Sequence, residues 1–65
     1  MFIIIQYNSE DERKFANELL KDIPHTWQNL PAVGCHSVIR YQFMSEYETD
    51  FKALCILLDE TFPVI

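Results

Sequence analysis

A small α+β fold with the element order β-α-β-β-α is predicted by three features of the sequence. Short runs rich in β-branched and aromatic residues alternate with two longer stretches whose apolar residues recur at helical spacing. A Ser-x-x-Glu motif precedes each of those longer stretches, and proline or glycine stands at the joints between elements. The chain has 65 residues, which is one domain. A domain of this size buries only about 60% of the surface its unfolded chain exposes, so good packing or self-association is expected to supplement its core.

The first element is FIIIQY, Phe2–Tyr7, too short for a helix before the stop at Asn8 and Ser9, and it reads as a strand. In S-E-D-E, Ser9 can accept from the amide of Glu12 while Glu12 reaches back, a capping box that opens a helix. Phe15, Ala16, Leu19, Leu20 and Ile23 follow at helical spacing, and Pro24 stops the pattern. HTWQNL, His25–Leu30, reads as a short strand, with Pro31 and Gly34 turning the chain into HSVIRYQF, His36–Phe43, a further strand. S-E-Y-E then suggests a second capping box from Ser45 to Glu48. Tyr47, Phe51, Leu54, Cys55, Leu58 and Phe62 trace the apolar stripe of a second helix up to Pro63. The tail, Pro63–Ile65, is too short for a fourth strand.

A shift of 36 positions pairs Ile3 with Ile39, Gln6 with Gln42, Ser9 with Ser45, Glu10 with Glu46, Glu12 with Glu48 and Phe15 with Phe51. Shared strand-to-helix rules account for these coincidences more economically than duplication does. The expected architecture is a truncated ferredoxin-like fold, with two helices on one face of a small mixed sheet and the first and third strands adjacent and parallel.

Ten Asp and Glu against five Lys and Arg give a net charge of −5. That is opposite to the basic footprint of direct nucleic-acid binding. Apolar residues make up 49% of the chain, which disfavours disorder. The apolar run at the N-terminus is far too short for a secretory leader or a membrane span, so a cytoplasmic protein with reduced thiols and no membrane partner is expected.

The neighbours Cys35 and His36 invite a chemical reading. Successive strand residues face opposite ways, however, and with His25 and Cys55 they form no zinc-ligand spacing. Neither a metal nor any other cofactor is expected. His25 and Cys35 flank the turn between the second and third strands, where they could face each other. Cys55 falls on an apolar helical stripe as a small hydrophobe. One glycine in the chain cannot make a glycine-rich phosphate cradle, and no nucleophile elbow occurs, so no catalytic residues are assigned.

If the first and third strands run parallel, both helix starts emerge at one edge of the sheet. That edge then gathers Glu10, Asp11 and Glu12 from the first helix and Glu46, Glu48 and Asp50 from the second. Carboxylates in a first turn also complement the helix dipole, which is the simpler reason for them. The functional reading is an acidic edge that docks a basic protein surface, including one that itself binds nucleic acid. On the helix-free face, Phe2, Ile4, Val38 and Arg40 point outward with Trp27 nearby, a half-apolar surface suited to a homodimer.

The succession of a hydrophobic strand ending in Tyr7–Asn8, then helix, hairpin and helix, resembles the small ferredoxin-like nucleases of CRISPR adaptation. The likeness spans most of the chain as an order of elements. Asn8 stands where that family carries an acidic residue, and the first helix here is acidic where theirs is basic. The resemblance implies a metal-dependent nuclease or hydrolase as the alternative to a non-enzymatic interaction module that binds or inhibits a basic protein. A small virus- or mobile-element-encoded inhibitor fits the size and acidity, as do many adaptors. A structural assembly subunit is a third possibility.

Overall fold

A computed structural model describes residues 1–62. The tail 63–65, read above as too short for a fourth strand, lies outside the described residues. The elements are β1 (Phe2–Tyr7), α1 (Glu10–Leu20), β2 (His25–Leu30), β3 (Ser37–Phe43) and α2 (Glu48–Thr61), with a 3-10 turn at Ser45–Tyr47 leading into α2. This is the predicted β-α-β-β-α order, an α+β fold with an open three-stranded sheet.

The strand order is β1-β3-β2, and both pairings are antiparallel rather than mixed. Phe2 faces Gln42 and Tyr7 faces Ser37 in one ladder, while His25 faces Phe43 and Leu30 faces Val38 in the other. The adjacency of β1 and β3 is as predicted, but their relative direction is not. The reason lies in the connections. Residues 31–36 are only long enough to turn the chain back, with Gly34 at φ +73° taking the left-handed position, so β3 runs against β2. Residues 8–24, which contain α1, are long enough for a crossover, so β2 returns parallel to β1 and leaves room for β3 between them.

One face of the sheet carries the core. Ile3, Ile5 and Tyr7 of β1 and Ile39, Tyr41 and Phe43 of β3 pack with Ala16 and Leu20 of α1 and with Leu54, Leu58 and Phe62 from α2 and its end. Both helices therefore lie on that face. Aromatic edges knit the layers: Phe43 meets Phe51 with ring centroids 4.9 Å apart, and Tyr7 meets Phe62 at 5.4 Å in a T-shaped pair. Within this core the Tyr7 and Tyr41 hydroxyls hydrogen-bond at 2.8 Å, and Tyr41 donates in turn to Oδ1 of Asn17 at 3.4 Å.

The two helix starts differ. Ser9 Oγ accepts from the Glu12 amide at 3.2 Å, and Glu12 Oε1 accepts from the Asn8 amide at 2.7 Å, a capping box displaced by one residue on its return bond. At α2 the expected Ser45–Glu48 box does not form. Ser45 lies inside the 3-10 turn, and the N-cap residue, Tyr47, makes no side-chain cap.

Candidate functional site

The antiparallel register divides the acidic edge. Glu10, Asp11 and Glu12 follow the end of β1, whereas Glu46, Glu48 and Asp50 follow the end of β3. Because these strands run in opposite directions, the two groups lie at opposite ends of the sheet. Seven residues of strand separate them by roughly 20 Å, beyond a physiological Debye length of about 8 Å. The single edge inferred from parallel strands is thus corrected to two separate acidic ends whose fields do not combine at close range.

Charge is nonetheless strongly sorted between the layers. All ten carboxylates sit on α1, on the turn at Asp22, on the 3-10 turn or on α2. They are accompanied there by Arg13, Lys14, Lys21 and Lys52. The three strands contain one Asp, Glu, Lys or Arg residue among them, Arg40. The helical layer is therefore acidic, and the sheet is nearly uncharged.

At the first acidic end, Glu10 is the best-tethered carboxylate. It accepts from Arg13 through two guanidinium nitrogens, one of them Nε at 3.1 Å, and lies 3.1 Å from Nε2 of His36. The Arg13 hydrogen bonds, followed by that of His36, hold its carboxyl down at about 2. His36 thus meets an acid from α1, 26 positions away in sequence, instead of acting with its neighbour Cys35. The side chains at the second end are more loosely held; Lys52 reaches Glu48 at 3.2 Å on the exposed helix surface.

The helix-free face is set by alternation. Phe2, Ile4 and Gln6 align with Gln42, Arg40 and Val38, which in turn align with Thr26, Gln28 and Leu30. Phe2 is 53% exposed, with the Arg40 guanidinium 4.3 Å from its ring centroid. Ile4 is half-buried, while Val38 is only 8% exposed and stands outside the main core, between Gln6 and Leu30 in the ladder. The outward direction of these side chains matches the sequence reading, but the exposed apolar surface is carried by Phe2 and Ile4 more than by Val38. Trp27 is corrected to the opposite, helix-bearing face, since it pairs with Tyr41. It is 61% exposed there because two helices do not cover three strands.

His25 and Cys35 are not brought together. His25 begins β2, and Cys35 lies in the loop beyond its far end. The His25 Nδ1–H donates to the Ile23 carbonyl at 2.7 Å, and its ring packs against Tyr41 and Phe43. Cys35 and Cys55 are both free thiols, and burial pushes the Cys55 thiol up. Among the described residues no three His, Cys, Asp or Glu side chains converge as a metal would require, and no helix is long and apolar enough to cross a membrane.

A further grouping escaped the sequence reading. Arg13, Asn17 and Lys21 line one cleft with His25, Trp27 and Tyr41. The spacing i, i+4, i+8 on α1 was a visible signal for a polar stripe. The approach of β2 to that stripe was not visible, because it depends on the sheet order. Comparison with protein-family models, with curated proteins and with solved structures finds no match, so the functional conclusion rests on the chain's own geometry.

Proposed function

We propose that the protein is a non-enzymatic interaction module that docks a basic surface of another protein through its acidic helical layer and pairs with a second copy through its sheet. The observation that carries this reading is the sorting of charge: ten carboxylates on the helical side and none on the strands. Carboxylates distributed only to solubilise the chain would be spread over both layers. An acidic layer opposite an almost uncharged, partly apolar sheet supports two different surfaces, one steered by charge and one by apolar burial. Both β1 and β2 are edge strands free of Asp, Glu, Lys and Arg, which leaves them without the charged side chains that commonly block edge pairing.

The test separates the two acidic ends. A partner is first identified by cross-linking in cells, and its association is then followed by stopped flow over a salt series. Charge reversal at Asp11 and, in a second variant, at Glu46 and Asp50 should slow association and flatten its salt dependence for at least one of the two. Unchanged rates and salt slopes for both variants, with folding intact, would defeat the reading. The remaining role of those acids would then be dipole compensation.

A further inference from the structure

The cleft beside α1 differs in character from the rest of the molecule. It measures about 250 Å³ and lies between α1 and the uncovered part of β2. Arg13, Asn17 and Lys21 line it from α1 and its C-terminal end, His25 and Trp27 from β2, and Ile39 and Tyr41 from β3. In a chain with twice as many acidic as basic side chains, the lining includes two cations and no carboxylate.

The donors are not exhausted by the protein's own hydrogen bonds. Arg13 commits Nε and one Nη to Glu10, leaving the other Nη with both hydrogens. Lys21 donates to Glu18 at 2.8 Å and keeps two ammonium hydrogens. Because its Nδ1–H is engaged with Ile23, His25 has Nε2 left over. On the apolar side, the Trp27 indole, 61% exposed, is the largest exposed aromatic surface among the described residues.

From this combination we infer that the cleft is a binding site for a small flat aromatic molecule bearing one anionic group. The ring lies against Trp27, and the anion takes the spare hydrogens of Arg13 and Lys21. The size selects a single ring, because the volume falls just below the range of about 300–1,000 Å³ common for drug-sized ligands. The cleft is distinct from the two acidic ends: no carboxylate side chain lines it, and the acids nearest to it, Glu10 and Glu18, touch it only through Arg13 and Lys21.

Trp27 is the only tryptophan and therefore a built-in reporter. The intact protein is titrated with benzoate and phenyl phosphate, and in parallel with phenol and inorganic phosphate, while Trp27 emission and the Asn17 side-chain amide resonances are followed. Both aryl anions should give saturable changes, at least fivefold tighter than phenol or inorganic phosphate. Arg13→Gln and Lys21→Gln should each weaken aryl-anion binding at least threefold, whereas Lys52→Gln, on the far helix, should leave it unchanged. Circular dichroism verifies that each variant is folded. Saturation without a preference over phenol, equal binding of inorganic phosphate, an equal loss in Lys52→Gln, or no saturation by about 20 mM ligand would each overturn the assignment.

Discussion

Replacing the two buried tyrosines by phenylalanine should destabilise the protein unequally, and the order is set by who donates to whom. Tyr7 and Tyr41 are 0% and 1% exposed, so neither hydroxyl can turn to bulk water. Because Tyr41 donates its proton to Asn17, it must accept from Tyr7. Tyr7→Phe therefore removes a donor and leaves Tyr41 with its bond to Asn17 intact, a loss of about 0.5–1.5 kcal/mol. Tyr41→Phe removes the acceptor and leaves the Tyr7 hydroxyl buried without a partner, which costs about 1–3 kcal/mol. For 65 residues, an unfolding entropy of about 2.1 cal/mol/K per residue converts each kcal/mol into roughly 7 °C of Tm. A small core supplies only about 3–5 kcal/mol in total, so the Tyr41 variant should be visibly unfolded in mild urea. Removing both hydroxyls should cost less than the sum of the single changes, since no orphaned donor remains. Urea melts of the four proteins, followed by circular dichroism, measure all three differences. Equal single costs, or strict additivity, would refute the donor order.

The same pair predicts an alkaline limit: burial pushes both phenols above their ordinary value of 10.0, so stability is fully present below pH 10 and falls as pH rises beyond it. Urea midpoints across that range should decline less steeply in the double phenylalanine variant. At the acid end, Glu10 is held at about 2 by Arg13 and His36, so its contribution is present above the ordinary 4.5 and lost as pH falls toward 2. Glu10→Gln should flatten the acid limb of the stability curve, and an unaltered limb would count against that tether. Ser9→Ala should cost about 1 kcal/mol by removing the α1 cap, whereas Ser45→Ala should be nearly neutral because Ser45 caps nothing. Finally, Phe2→Ser with Ile4→Ser should shift any concentration-dependent increase in light-scattering mass to higher concentration, and identical curves would remove the helix-free face from the self-association proposal.

The sequence made β1 and β2 legible to the residue, because proline or Asn-Ser bounds each run and the side chains between are typical of strands. It misplaced the second helix start for a physical reason. Ser-x-x-Glu describes which side chains could cap, while the backbone after Phe43 tightens first into a 3-10 turn that takes Ser45 out of the N-cap position. The direction of β3 was also available in principle. Six residues between β2 and β3 leave no length for a crossover, and that constraint outweighs the apparent 36-residue echo between the two halves.

That one reversal of direction has the largest functional consequence. Parallel β1 and β3 would unite the acidic helix starts; antiparallel pairing puts them at opposite ends of the sheet. It also places β2 beside β3 on the flank that two helices cannot fully cover, leaving Trp27 open and bringing Arg13, Asn17 and Lys21 across from it. An alternation pattern assigns a residue to one of two faces, but which face receives the helices depends on strand order and connection length together. Trp27 shares a face with His25 and Asn29 under any register, so its move to the helical side is a consequence of β2 pairing with β3 in the observed frame, with Trp27 opposite the core residue Tyr41. A cleft lined by cations in an acidic protein is thus produced by topology, from residues whose spacing along the chain gave only half of the pattern.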